Sequence, residues 1–138
     1  MSALSNIPPH AVLPLSAYNL ADLRRAAESS DQTFLYADCS DAHDKKAVLA
    51  AIAKGFSLPE HFGMNLDALY DCVTDLAPDR KADKPGFVVV LDRMPQGDGF
   101  DTKARAALLD VFRDAADYFD DHATAFRVFY SVGARAAI

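Results

Sequence analysis

The sequence predicts an α/β fold, a small three-stranded parallel β-sheet packed with helices and preceded by an extra N-terminal helix. Short runs of β-forming residues alternate with longer segments of helical periodicity. The run FVVVL at 87–91 is apolar at every position, as in a strand that is covered on both faces. Strands separated by helices need crossover connections, which favour a parallel arrangement.

Composition predicts ordinary globular material with a substantial core. The 138 residues are 51% hydrophobic and 25% charged. The 20 acidic and 14 basic residues give a net charge of -6, which disfavours nucleic acid and anionic membranes as partners and favours a basic protein. The N-terminus lacks a positively charged region and is broken by prolines, and no stretch approaches a transmembrane span. We therefore expect a cytoplasmic protein. We also expect it to be a monomer.

The first 30 residues are predicted to form an extension with one short helix. Three prolines interrupt residues 1–15, which we expect to be a loosely ordered lead-in. Asn19 can cap a helix from Leu20 to about Glu28. Residues 31–138 are then expected to form the main domain.

The main domain is predicted to begin with a strand and a helix. The run TFLYAD at 33–38 is rich in β-formers. Asp41 or Asp44 then begins a helix, and Gly55 is expected to end it in the left-handed conformation.

The second half of the chain is predicted to hold two more strands around a long helix. Residues 77–86 and 92–101 are expected to be loops on either side of the strand at 87–91. Thr102 can cap a helix to about Phe119. Residues 125–132 alternate apolar with polar side chains, as in a strand with one wetter face at or near a sheet edge. The tail after this strand is expected to be frayed.

The segment at 58–76 carries four carboxylates and no Lys or Arg. Asn65 can cap a helix from Leu66 to about Leu76, which the proline at position 78 stops. The apolar residues of this helix fall on one face, and Asp67, Asp71 and Asp75 form a row on the other. Each adjacent pair of these aspartates costs about 0.2 to 0.5 kcal/mol in an isolated helix. This local frustration indicates that a partner supplies the positive charge, although an ordinary solvated face would show the same spacing.

An acidic helix face can imitate a phosphate backbone. Carboxylates about 6 Å apart can enter a nuclease cleft lined with Lys and Arg. Asp71, in the middle of the row, is predicted to be the central contact, hydrogen-bonded by an arginine. A second acidic row on the long helix has arginines interleaved or close by, so we interpret it as solvated surface; it contains Asp110, Asp114, Asp117 and Asp121.

The sequence predicts no catalytic residues, metal site or cofactor. His43 lies near Asp41 and Asp44, but this spacing is unspecific, and no nucleophile completes a triad beside His61. Cys39 and Cys72 have no metal-ligand spacing and are expected to be free thiols that fill the core. An enzyme that uses the histidine and aspartate clusters is the alternative to a binding protein.

The segment around the acidic helix resembles the signature of the barstar family, intracellular inhibitors of the ribonuclease barnase. The residues that carry the resemblance, in order and spacing, are Leu58, Pro59, Glu60, Gly63, Asn65, Leu66, Asp67, Ala68, Leu69, Asp71, Cys72 and Thr74. Beyond them, the order of elements from residue 33 to residue 132 is similar.

The resemblance implies an inhibitor whose acidic helix and preceding loop plug the active site of a basic ribonuclease. Asp71 would be the central anchor and Asp67 a second charge contact, with Tyr70 in place of the family's tryptophan. His61 and Phe62 stand where the family has two tyrosines. The full set of expected partner-binding residues is Glu60, His61, Phe62, Gly63, Asn65, Asp67, Tyr70, Asp71 and Asp75.

Two features have more than one candidate. The family contributes a further acidic residue ahead of its next long helix, and only Asp101 or Thr102 is near that position. The partner is either a barnase-like ribonuclease or another basic toxin or protein that binds the same acidic face.

Overall fold

The structure, a computed structural model, describes residues 3–59, 65–78 and 85–133. Within these residues the strands are β1 (His10–Pro14), β2 (Thr33–Asp38), β3 (Gly86–Met94) and β4 (Ala125–Val132). The α-helices are α1 (Leu20–Ser29), α2 (Lys45–Phe56), α3 (Leu66–Thr74) and α4 (Thr102–Asp120). Short 3-10 turns lie at Ala3–Asn6 and Leu15–Ala17. None of these helices is both long and apolar enough to cross a membrane.

The sheet has four parallel strands in the order β1-β4-β3-β2. The predicted α/β class and parallel arrangement are confirmed, but the predicted number of three strands is wrong. The additional strand, β1, comes from residues expected to be a loose lead-in, and it pairs with β4 from His10–Phe126 to Pro14–Tyr130. Proline is tolerated here because β1 is an edge strand. β4 therefore lies one strand in from the edge.

The strand order places helices on both faces of the sheet. The chain moves from β2 through β3 to β4 in one direction across the sheet, whereas the step from β1 to β2 runs in the opposite direction. Because parallel crossovers are right-handed, α1 must lie on the face opposite α2 and α4. The extension thus supplies a layer that the sheet would otherwise lack.

Two hydrophobic cores result from this layering. Phe87, Val89 and Leu91 of β3 face the core beneath α2, α3 and α4, while Val88 and Val90 face the core beneath α1 and the N-terminal turn. The prediction that β3 is covered on both faces is therefore confirmed.

Arg127 lies on the face of β4 that was expected to be wetter, yet it is only 7% exposed. Its Nη2 donates hydrogen bonds to the carbonyl oxygens of Leu4, at 3.3 Å, and Ile7, at 3.2 Å. Burial lowers the pKa of this guanidinium. The N-terminal turn therefore satisfies and covers the polar side of β4.

Three of the predicted helix caps are confirmed. The side-chain oxygens of Asn19, Asp44 and Asn65 accept hydrogen bonds from backbone amides of the first turns of α1, α2 and α3. These bonds satisfy donors that have no partner within the helix.

Other element ends differ from the predictions. Helix α2 continues past Gly55 because Phe56 is buried, and Ser57 takes the left-handed conformation with φ 55°. Asp101 rather than Thr102 caps α4, since its carboxylate accepts from the amide of Ala104 at 2.8 Å. Helix α3 ends at Thr74, two residues before the predicted end.

Strand β3 runs three residues into the predicted loop. It can do so because the buried carboxylate of Asp92 accepts hydrogen bonds from the hydroxyls of Tyr36, at 2.6 Å, and Ser131, at 2.8 Å. A buried charge needs such partners.

Candidate protein-binding site

Helix α3 presents its acidic row to solvent because its opposite face is anchored in the core. Leu69 and Val73 are fully buried, and Leu66 packs against the same core. Asp67, Asp71 and Asp75 are exposed. The amide of Ala68 donates to the side-chain oxygen of Asn65 at 2.8 Å, which fixes the start of the helix. The predicted division of this helix into an apolar and an acidic face is confirmed.

The acidic row is not neutralised by any cation that the structure describes. Within residues 3–59, 65–78 and 85–133, neither Lys nor Arg forms an ion pair with Asp67, Asp71 or Asp75. The negative charge of the row also affects the neighbouring thiol of Cys72. Burial is the largest cause of its raised pKa, and the charges of Asp75 and Asp71 raise the pKa further. Among the described residues, the charge of the row is therefore left unpaired.

Helices α3 and α4 flank an open groove of about 670 Å³. The α3 wall consists of Leu66, Asp67, Tyr70 and Asp71. The wall from α4 and its C-cap consists of Val111, Asp114, Asp117, Tyr118 and Asp121. Five carboxylates from two helices thus line one groove, which we call the acidic groove.

The second acidic row divides into two parts that the sequence interpretation did not separate. Asp110 forms an ion pair with Arg113 at 2.8 Å and behaves as the solvated surface that was predicted. Asp114, Asp117 and Asp121 instead face α3 across the groove. These aspartates, together with Val111 and Tyr118, recur every three or four residues. Such spacing places side chains on one side of a helix, so the sequence could have indicated that they lie together.

The chemistry of the acidic groove suits a side-chain cation. Carboxylates accept charge-assisted hydrogen bonds from guanidinium or ammonium groups, and arginine can bind one carboxylate through two of its N–H groups. Leu66, Val111 and the half-buried rings of Tyr70 and Tyr118 add apolar and aromatic surface. Aromatic faces also attract cations. The groove is therefore equipped for Arg or Lys from another protein.

Several predicted contact residues lie elsewhere. Glu60, His61, Phe62 and Gly63 fall outside the described residues. Asp75, at the C-cap of α3, lines an adjacent hollow and not the acidic groove. Asn65 acts as the helix cap and is exposed beside the row.

Neither residue proposed for the additional acidic contact lines the acidic groove. Asp101 caps α4, and the hydroxyl of Thr102 is 3.5 Å from the guanidinium of Arg105. The carboxylates that face α3 come instead from the second half of α4 and its C-cap, and they are Asp114, Asp117 and Asp121.

The remaining titratable residues form no comparable site in the described parts of the chain. No group of three or more His, Cys, Asp or Glu residues there could hold a metal ion. His10 bonds the carbonyl of Thr124 at 2.8 Å and lies 3.5 Å from Asp120. Cys39 is fully buried, and burial raises its pKa to about 12.

Comparison with known proteins identifies the family. No curated protein matches the chain in sequence. The family model described as Barstar (barnase inhibitor) matches residues 32–131. This span includes β2, β3, all but the last residue of β4, and the acidic groove. The chain therefore belongs to the barstar family.

Proposed function

We propose that this protein inhibits a basic ribonuclease of the barnase type by occluding its active site with α3 and the acidic groove. The observation that carries the proposal is the row of Asp67, Asp71 and Asp75, which is exposed and has no described ion pair. Membership of the barstar family supports the ribonuclease as the class of partner.

Inhibition follows from imitation of the substrate. A ribonuclease cleft holds cations that bind the phosphates of RNA, and carboxylates about 6 Å apart along α3 offer those cations a preformed alternative. Asp71 takes the centre, where an arginine of the enzyme can bind it through two hydrogen bonds away from water. RNA and the inhibitor then cannot occupy the cleft together.

The net charge of -6 speeds the encounter with a basic enzyme. The proposal also includes the segment that precedes α3, with Glu60, His61, Phe62 and Gly63 as further contacts. The inhibitor would act in the cytoplasm as a monomer and would perform no catalysis of its own.

Titration of ribonuclease activity tests this function. Barnase is held at fixed concentration with an RNA substrate, and the protein is added in steps. We expect activity to fall linearly to near zero at one equivalent, and the Asp71→Ala variant to need a large excess. Full activity of barnase with about tenfold excess of wild-type protein would reject a barnase-type ribonuclease as the target.

A second candidate is immunity against a different basic toxin through the same face. The departures at His61, Phe62 and Tyr70 favour this alternative, because they alter aromatic positions of the family signature. Isothermal titration calorimetry separates the two candidate functions. Binding of purified basic toxins that are not ribonucleases is compared with binding of barnase. Binding of such a toxin that Asp71→Ala weakens, without inhibition of barnase, would favour the second candidate.

A further inference from the structure

The α4 wall of the acidic groove carries an aromatic ring between two carboxylates. Tyr118 is half-buried and lines the groove. Asp114 lies one turn before it, and Asp121 lies about one turn after it at the C-cap of the helix. Side chains three or four residues apart are neighbours on a helix surface, with Cβ atoms about 5 to 6 Å apart. A group that rests against this ring is therefore within reach of a carboxylate on either side.

Both carboxylates are available to a partner. In the part of the chain that the structure describes, no Lys or Arg forms an ion pair with Asp114 or Asp121. Arg113, next to Asp114 in the sequence, pairs with Asp110 at 2.8 Å instead. The exposed carboxylates therefore keep their capacity to accept hydrogen bonds from a cation of another protein.

The ring of Tyr118 is held in place by its neighbours. It stacks on His122 with centroids 4.1 Å apart and meets Phe119 edge-on at 5.2 Å. The Nδ1 atom of His122 is 2.6 Å from the carbonyl oxygen of Tyr118. Because a carbonyl can only accept, Nδ1 carries a proton and donates it. A ring that is already fixed loses little conformational entropy when a partner side chain packs against it.

We propose that Tyr118 makes the acidic groove selective for arginine over lysine side chains of the partner. The inference rests on the proposed function for its site, and it adds which cation the ribonuclease must present there. A guanidinium is planar and weakly hydrated, so it can lie against an aromatic ring while two of its N–H groups bind one carboxylate. An ammonium is compact and strongly hydrated, so it gains less from the ring.

The carboxylates and the ring have different roles in this arrangement. Asp71 and Asp114 attract either cation, because both cations carry one positive charge. Tyr118 distinguishes the two, because only the guanidinium has a flat face that can stack on the ring. Tyr118 is thus a specificity-determining residue of the groove, and the carboxylates supply affinity.

Binding of two peptides, acetylated hexaarginine amide and hexalysine amide, tests the inference by isothermal titration calorimetry at about 0.05 M salt. The peptides have equal charge, so their comparison isolates the chemistry of the cation. We expect wild-type protein to bind hexaarginine about tenfold more tightly than hexalysine. Tyr118→Leu should reduce this preference to about threefold or less, whereas Tyr118→Phe keeps the ring and should retain it.

Two further variants are the controls. Asp114→Asn removes one charge from the groove, so it should weaken binding of both peptides by similar factors and leave the preference unchanged. Tyr18→Leu removes an exposed ring that does not line the groove, so it should behave as wild type. Circular dichroism confirms that each variant is folded.

The outcomes separate this inference from the proposed function. The inference is overturned if wild type binds both peptides equally, if Tyr118→Leu keeps the full preference, or if neither peptide binds. The proposed function is judged by the titration of barnase activity. If wild type selects hexaarginine through Tyr118 but leaves barnase active, the proposed function fails for that enzyme and the selectivity of the groove stands.

Discussion

Asp71 is the residue on which the proposed function most depends. Its side chain is exposed and has no ion pair among the described residues, so its removal should leave the fold intact. We expect Asp71→Ala to weaken ribonuclease binding by roughly 2 kcal/mol or more, about 30-fold in Kd, because a desolvated arginine would lose its partner.

Asp110→Ala is the matched control, since it removes the same charge from α4 at a residue already paired with Arg113. Isothermal titration calorimetry would compare the two variants. Equal affinities for both would contradict the central role of Asp71.

The two cysteines are expected to differ in reactivity. Cys39 is fully buried with a pKa of about 12, whereas Cys72 is half-buried and its pKa is raised less by burial and by Asp75 and Asp71. The thiolate is the reactive form of cysteine. At about pH 8 we therefore expect Cys72 to react slowly and Cys39 not to react in the native protein, whereas both should react in denaturant. A disulfide-exchange reagent that releases a coloured thiolate measures both.

Asp75→Asn removes one of the charges that raise the pKa of Cys72, so this variant should react faster. An unchanged rate would show that the acidic row exerts no field at the thiol.

Among individual residues, the sequence predicted the caps Asn19 and Asn65 and the exposed row on α3. These features could be predicted because the residues that form a helix and its cap are close together in the sequence. It did not predict that Asp114, Asp117 and Asp121 face that row. Their role depends on how α4 packs beside α3, and nothing within α4 itself distinguishes a groove wall from a solvated face.

At the scale of elements, the contact between α2 and β2 depends on Gly55. A Cβ atom there would clash with the carbonyl oxygen of Tyr36 on β2, so Gly55→Ala should destabilise the fold by about 1 to 3 kcal/mol through overpacking. Urea denaturation measures the change. Gly97→Ala is the control, because no atom lies within 4 Å of a Cβ at that position; a loss of the same size there would contradict this explanation.

The N-terminal turn and β1 are expected to be integral to the fold. Leu4 and Ile7 are buried against the second core, and their carbonyl oxygens satisfy Arg127. Burial of two such side chains contributes about 3 to 6 kcal/mol. Deletion of residues 1–14 should therefore lower the melting temperature markedly and increase binding of a hydrophobic dye; an unchanged melting temperature would contradict this expectation.

The helices and three of the strands could be predicted from local patterns, whereas β1 could not. Its prolines indicate a break in structure, and only pairing with β4, more than a hundred residues later, makes a strand of it. The polar residues of β4 were likewise expected to face water, because the turn that covers Arg127 comes from the distant N-terminus. The division of the chain at residue 30 stays a prediction.

At the scale of the whole molecule, the distribution of charge matters more than its sum. The net charge of -6 could be spread evenly, yet five carboxylates line one groove between α3 and α4. A concentrated field of this kind should steer a basic enzyme toward that groove and lose its effect as salt screens it. A uniform excess of negative charge would give a weaker preference for any one surface.

The most direct test is the rate of association with barnase, measured by stopped flow from about 0.05 M to about 0.5 M salt. The double variant Asp71→Asn, Asp114→Asn removes two charges from the groove, and Asp22→Asn, Asp110→Asn removes two elsewhere, at residues paired with Arg25 and Arg113. We predict that the rate falls steeply with salt for wild type and for the second variant. For the first variant, the rate should be lower at about 0.05 M salt and should fall less steeply. The same salt dependence in all three proteins would contradict the claim that the acidic groove receives the ribonuclease.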